Sequence, residues 1–264
     1  VNPNSFLARV EKTTRERIDQ NSGEHFSGSA PYAFEPREVL SRFLDAGPHV
    51  IAEIKRASPS EGDIARDADP VAVAHDYVNH GATMISVLTE PVFFKGDINF
   101  LPRLRQHFPE TRLLMKDFIV DERQLIQGAA YGADAALLIV ALLGATRLDQ
   151  LYRRAIRLGL TPLVEVHDEA ELKIALDVEA SFIGVNNRNL ETLAVSLDVS
   201  QRLMAARKKW GGKFGVWVSE SGITSGTDLK KLRNLGFQGF LIGTPFMKSK
   251  NPGELLARFI REGR

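Results

Sequence analysis

Val50 to Ser60 reads VIAEIKRASPS, an apolar run that carries Glu53 and Lys55 before it turns at Ser58-Pro59-Ser60. Side chains alternate between faces in an extended segment, so Glu53 and Lys55 point one way while Ile54 and Arg56 point the other. Opposite charges on one face of an apolar strand are costly to bury and are retained for pairing or for chemistry. Taken alone, the pair reads as a structural ion bridge. The segment leads into a helical stretch, Val71 to Asn79, and this unit of strand, loop and helix is the one the chain repeats.

Further apolar strands are predicted at Met84 to Leu88, Arg112 to Lys116, Ala135 to Val140, Pro162 to Val166, Phe182 to Asn186, Phe214 to Ser219 and Gly239 to Ile242. Amphipathic stretches lie between them at Glu122 to Tyr131, Arg147 to Leu158, Glu169 to Leu176, Val199 to Lys208 and Asp228 to Leu235, and Pro252 to Ile260 reads as the last helix. Gly81, Gly132, Gly159 and Gly236 stand where left-handed helix ends are expected. Strands alternating with helices predict a parallel sheet, and eight repeats is the count that closes a (β/α)8 TIM barrel, an α/β fold. A doubly wound open sheet is the structural runner-up, but Arg56 to Gly62 is not the Gly-rich dinucleotide turn that fold favours.

Residues 1–48 read as an N-terminal helical extension. A helix from Asn4 to Gln20 can be capped by Asn4 or Ser5, a loop runs through Gly23, Gly28, Ser29 and Pro31, and Pro36 can begin a short helix carrying Val39, Leu40, Phe43 and Leu44. The extension is too small for a core of its own, so residues 1–264 are expected to form one barrel domain.

With 34 basic and 33 acidic residues the net charge is +1, so neither nucleic acid nor another polyanion is demanded, while a small anion needs only local charge. The absence of cysteine excludes disulfides and thiol catalysis. The start, VNPNSFLARV, does not read as a secretory signal, and the missing initiator methionine implies that residues before Val1 were removed. Ala135 to Leu143, the longest apolar run, is too short to cross a bilayer, so no membrane role and a cytoplasmic location are expected.

The mouth of a βα barrel lies at the C-terminal ends of its strands. There the chain places Glu53 and Lys55, then Lys116, Glu165, Asn186 and Arg188, then Glu220, Ser221 and Gly222, and finally Gly243 and Thr244. Each has a structural reading by itself, as an ion-pair partner, a turn residue or a rim charge. Two lysines and three glutamates in one mouth favour an active site. Ser221-Gly222 and Gly243-Thr244, with a short helix over Thr244 to Met247, suit a phosphate after the last two strands. Phe94 and Phe118 can pack on a flat ring or fill the core under their loops. No metal is expected, because His167 has no second His or carboxylate at ligand spacing.

AEIKRASPSEG (52–62), SVLTE (86–90) with FFKG (93–96), LLMKDFIVDE (113–122), LVEVHDEAEL (163–172), IGVNNRNLETL (183–193), VSESGI (218–223) and FLIGTPFM (240–247) occur in this order. On these motifs the chain resembles the indole-3-glycerol phosphate synthases of tryptophan biosynthesis, over nearly its whole length. The resemblance implies closure of the indole ring of 1-(2-carboxyphenylamino)-1-deoxyribulose 5-phosphate, with release of carbon dioxide and water and without metal or organic cofactor. It implies a small anionic substrate as the partner and a monomer or weak homo-oligomer.

By the same resemblance Lys116 is the general acid on the ribulose carbonyl, Glu165 serves the dehydration, and Lys55 holds the substrate anion and helps in proton transfer. Glu53 and Asn186 orient these groups. Ser221, Gly222, Gly243 and Thr244, with Lys55, surround the phosphate, Ser221 counting also with the catalytic set. Ser58, Phe94, Phe118, Arg188, Glu220 and Leu241 line the pocket. A lysine among cations and apolar walls is expected to have a lowered pKa, and a carboxylate in a dry pocket a raised one.

GTPFM departs from many relatives at Pro245 and Phe246, and Pro245 removes a backbone donor from the phosphate loop. Competing functions are the isomerase that precedes this step, which is expected to need a cysteine base, a Schiff-base aldolase using Lys116 or Lys55, and a catalytically silent barrel serving as a scaffold.

Overall fold

The structure is a computed structural model that describes residues 5–20, 36–210 and 215–264. The loop through Gly23, Gly28, Ser29 and Pro31, the alternative cap Asn4 and the strand start at Phe214 lie outside the described residues. Helix α1 (Phe6–Gln20) begins at Ser5, whose Oγ accepts the Ala8 amide at 3.2 Å. Strand β1 (His49–Ile54) follows, and its outgoing loop folds into a two-stranded antiparallel hairpin of β2 (Ala57–Ser58) and β3 (Gly62–Asp63).

Then strands and helices alternate: α2 (Pro70–Asn79), β4 (Met84–Leu88), α3 (Phe100–His107), β5 (Leu113–Lys116), α4 (Glu122–Ala130), β6 (Ala135–Ile139), α5 (Val140–Arg157) and β7 (Thr161–Val166). The series continues with α6 (Glu169–Asp177), β8 (Phe182–Asn186), α7 (Asp198–Trp210), β9 (Val216–Glu220), α8 (Gly226–Leu235), β10 (Gly239–Ile242), α9 (Thr244–Met247) and α10 (Pro252–Glu262). The strands close into a parallel barrel in the order β1-β10-β9-β8-β7-β6-β5-β4, the (β/α)8 fold expected from the repeat. Helix starts use the side chains the sequence offers: Asp69, Asp168 and Ser225 accept first-turn amides, and Asp121 with Gln124 forms a capping box.

Period-2 alternation divides the core. Val50, Ala52 and Ile54, with Leu113, Met115, Ile183 and Trp217, pack outward under the helices. Ile51, Met84, Leu114, Leu137, Leu163, Phe182 and Val218 fill the barrel interior. One step further up the same inward rows stand Glu53, Lys116, Glu165 and Glu220, so the rows turn from apolar to charged at the mouth. At the opposite end Phe43 closes the barrel against Phe182 at a ring separation of 5.4 Å.

Several bounds differ from expectation, each for a local reason. Pro36 starts no α-helix; among the described residues a 3-10 turn at Leu40–Phe43 follows it, and Leu44 is exposed. Helix α3 went unread because Pro102 interrupts its pattern, yet a proline in a first turn removes no helical hydrogen bond. Val140 begins α5 instead of ending β6, and Gly144 at φ 62° breaks α5 early. Strand β9 reaches Glu220, which places that carboxylate in the inward row of Val216 and Val218. Among the described residues no helix is long and apolar enough to cross a membrane.

Candidate active site

The mouth encloses a pocket of about 470 Å³ lined by the residues singled out at the strand ends, Glu53, Lys55, Lys116, Glu165, Asn186, Arg188, Glu220, Ser221, Gly222, Gly243 and Thr244, and by those the resemblance adds, Ser58, Phe94, Phe118 and Leu241. Its apolar side is built from Phe6, Leu88, Phe94, Phe118, Leu137 and Ile139. Phe118 meets Phe6 edge-on at 6.0 Å and Phe94 at 6.0 Å, so the two candidate aromatics do both things at once: they pack together and they wall the pocket.

Lys116 is the centre of the charges. Its Nζ lies 3.4 Å from Glu165 Oε2 and 3.3 Å from Glu220 Oε2. Burial works against the ammonium, but Glu220, Glu165 and Glu53 outweigh it and hold Lys116 above the usual lysine range. This corrects the expected lowering: the charges that act on Lys116 are carboxylates, where cations were expected. The other lysine, Lys55, pairs with Glu53 at 2.9 Å, so the ion pair that the first strand suggested does form, inside the pocket.

Glu165 and Glu220 share Lys116 but diverge. Burial pushes both upward. For Glu165 the Lys116 charge, His167 and a hydrogen bond from Asn186 win, and its pKa falls below the carboxylate range, opposite to the expected rise. Glu220 has Lys116 beside it but, among the described residues, no well-formed hydrogen bond to either oxygen, and it is raised to about 8. The dry-pocket argument therefore applies to Glu220, where burial outweighs the pull of Lys116.

Other contacts fix the frame. Asn186 Oδ1 accepts the Arg188 amide at 3.0 Å, and the Arg188 guanidinium holds the carbonyl of Leu193 at 2.9 Å, bracing the loop after β8. Ser58 Oγ accepts the Glu61 amide at 3.3 Å in the β2–β3 turn. Ser221 and Gly222 have φ of 64° and 80°, a pair of left-handed residues directly after β9. A side chain other than glycine rarely adopts that conformation away from sites that require it. Gly243 leads into α9, where Pro245 is the second residue.

Some residues of the site escaped the sequence reading. Glu90, buried, accepts the amides of Val92, Phe93 and Phe94 at 2.8, 2.6 and 3.0 Å and so shapes the loop that delivers Phe94. Asp117 receives Arg17 of α1 and Thr89, each at 2.8 Å. Gly184 gives Glu220 its seat, because a Cβ there would overlap the carboxylate. The acid of SVLTE and the glycine of an otherwise bulky strand were the available signals. His167, set aside for lack of carboxylate neighbours, in fact lies 3.2 Å from Glu165 and 2.9 Å from Glu171. Among the described residues no cluster of three or more His, Asp or Glu is arranged to hold a metal ion.

Comparison with known proteins adds a family. The model of the family described as Indole-3-glycerol phosphate synthase matches residues 7–259. A protein of Salinibacter ruber named Indole-3-glycerol phosphate synthase is 41% identical over 266 residues, covering 98% of this chain and 97% of its own length. One of the same name from Exiguobacterium is 42% identical over 254 residues, covering 96% and 95%. Among solved structures, 3-hexulose-6-phosphate synthase from Salmonella typhimurium superposes with a TM-score of 0.62 at 14% identity, over 81% of this chain and 97% of the other. KGPDC from Streptococcus mutans gives 0.61 at 16% identity, over 82% and 97%. These two likenesses show the barrel fold alone.

Proposed function

The chain belongs to the indole-3-glycerol phosphate synthase family, and from that premise we propose how its barrel mouth performs the family's reaction. The enzyme is a carboxy-lyase that converts 1-(2-carboxyphenylamino)-1-deoxyribulose 5-phosphate to indole-3-glycerol phosphate. The observation that carries the assignment of roles is Lys116 held between Glu165 and Glu220 on the floor of a pocket with an apolar wall.

The aromatic ring of the substrate lies along Phe94, Phe118 and Leu137, and the phosphate lies across the mouth by Ser221, Gly222, Gly243, Thr244 and Lys55. This binding brings the ring carbon that bears the carboxylate against the ketone, and much of the rate comes from that orientation. As the carbon–carbon bond forms, Lys116 gives its proton to the carbonyl oxygen. An ammonium with a raised pKa stays charged through the neutral range, and the developing alkoxide is a still stronger base. The carboxylate leaves as carbon dioxide and its bonding electrons restore the aromatic ring. In the last step the hydroxyl leaves as water with a second proton, given by Lys116 once solvent has recharged it, while Glu165 takes the proton from the carbon beside nitrogen. Two protons are given and one is taken, so each turnover draws one proton from solvent, matching the loss of an ionised carboxylate as neutral carbon dioxide.

Glu53 steadies Lys55, Asn186 orients Glu165, and Glu220 tunes Lys116. Pro245 leaves the amides of Gly243 and Thr244 to serve the phosphate. The proposal takes one chain as one domain acting in the cytoplasm, since Val10, Val39 and Phe43 of the extension share a core with the barrel interior and a phosphorylated substrate does not cross bilayers. An aldolase reading requires a covalent imine at Lys116 or Lys55; borohydride with a carbonyl substrate is expected to trap no adduct.

The test is incubation of the purified protein with the carboxyphenylamino-deoxyribulose phosphate while indole fluorescence is followed. Folded protein without product would sink the proposal. Lys116→Ala is expected to abolish turnover with little loss of ligand affinity; weakened binding alone would make Lys116 a binding residue.

A further inference from the structure

The buried carboxylate Glu165 lines one cavity, the substrate pocket, while a second is lined by its neighbour His167. Behind Glu165, His167 and Glu171 line this second cavity, of about 700 Å³, under the loop that follows β8, and the two cavities share Asn186, Arg188, Leu190 and Val195. His167 stands between them: its Nε2 lies 3.2 Å from Glu165 Oε1, an ion-pair contact without a well-formed hydrogen bond, and its Nδ1 is hydrogen-bonded to Glu171 Oε2 at 2.9 Å. The same Glu171 oxygen accepts the His167 backbone amide at 2.8 Å, so the ring is held at both its backbone and its side chain. Glu171 in turn is fixed by the start of α6, where Asp168 caps its amide at 2.9 Å.

We propose that His167, anchored by Glu171, is the positioning residue that keeps Glu165 oriented and ionised, as a base in the last proton abstraction must be. The inference rests on the role given to Glu165 above. A carboxylate with burial alone acting on it would be neutral and could take no proton. Lys116 opposes that burial from the substrate side, but Lys116 gives up its proton during the reaction. At that moment the positive charge that remains beside Glu165 is the His167 ring. Burial works against the ring's charge, but Glu165 and Glu171 outweigh it and push His167 up to about 10, so the ring is charged throughout the neutral range. The groups facing the ring are Glu165 on β7 and Glu171 on α6, while Asp168, Arg188, Glu191 and Arg202 surround the same side cavity.

The experiment compares His167→Gln, Glu171→Gln and Glu165→Gln for kcat, KM and the pH profile of kcat. Loss of the ring's charge is expected to raise the Glu165 pKa by roughly one to three units. His167→Gln should then carry the acid limb of the kcat profile upward by that amount, with kcat on the neutral side of the limb and KM little changed. Glu171→Gln should shift the limb in the same direction by less. An unmoved pH profile in both, with Glu165→Gln inactive yet still binding product, would overturn the positioning role and leave the base assignment standing. A Glu165→Gln enzyme that turns over normally would overturn the base assignment and this inference with it. Should His167→Gln fail to fold, Glu171→Gln, on the face of the side cavity, decides the matter by the same shift.

Discussion

At the scale of single residues, two glycines do as much for the mouth as the charges they accommodate. A Cβ on Gly184 would overlap Glu220, and one on Gly243 would lie 2.6 Å from Glu53 Oε1. Both stand on strands adjacent to the glutamate they serve: Gly184 of β8 neighbours β9, and Gly243 follows β10, the neighbour of β1. The empty inward positions let each carboxylate lie across the adjacent strand, where it meets a lysine. Gly184→Ala is therefore expected to keep the barrel, since φ at this position is not left-handed, and to displace Glu220 from Lys116. A displacement near 1 Å in a reacting constellation costs on the order of 100-fold in rate. Measurement of kcat beside a far-ultraviolet circular dichroism spectrum checks this, and an unchanged kcat in a folded variant would refute it. An isolated glycine in FIGVN signals a close approach without saying to what; its role follows only once Glu220 is known to lie beside it.

Among elements, the loop after β4 and helix α1 together form one side of the pocket, and buried acids hold both. Glu90 collects three amides of the loop, and Asp117 collects Arg17 from α1. Leaving buried amides unpaired costs about 1–3 kcal/mol. Glu90→Ala is thus expected to free the Phe93–Phe94 turn, raising KM several-fold with a smaller effect on kcat and exposing the loop to proteolysis. A lowered kcat at constant KM would instead put Glu90 in the chemistry. These elements also mark how far the sequence could be read. Strands were legible because each is buried on both faces and so reads as a short apolar run between amphipathic stretches. The hairpin of β2 and β3 and the helix α3 were not, because the first is only two residues a side and Pro102 hides the second. The pocket residues were legible from their place at strand ends, whereas their ionisation was not. Protonation depends on which neighbours face a group across the barrel, and that Lys116 meets three carboxylates, or that His167 meets Glu165 and Glu171, is a property of closure.

Over the whole molecule, closure gathers Glu53, Glu165 and Glu220 with Lys55 and Lys116 into one buried mouth, and the folded state bears the consequence in its pH dependence. The two central carboxylates contribute with opposite signs. Glu165, with a depressed pKa, adds stability that is present above the ordinary carboxylate range and lost as pH falls through its lower folded value. Glu220, raised to about 8, binds a proton in the folded state where the unfolded chain has lost it. Stability contributed by Glu220 therefore falls as pH rises from the ordinary carboxylate range towards 8, and the penalty is complete above that. Lys116, raised from an already high value, contributes stability that is fully present below the usual lysine range and is lost only above it, so it does not vary across this window. Glu220→Gln keeps the shape of the side chain and removes the charge, so it is expected to melt higher than the parent at pH 8 by at least roughly 3 °C, about 1 kcal/mol for a chain of this length. The gain should shrink as the pH is lowered to 5. The same variant should lose turnover, because Lys116 is left to Glu165 alone when it must be recharged. Thermal melts of both proteins across this range check the sign: a variant less stable at pH 8, or a gain independent of pH, would mean that Glu220 is ionised in the fold and serves as an ordinary partner of Lys116.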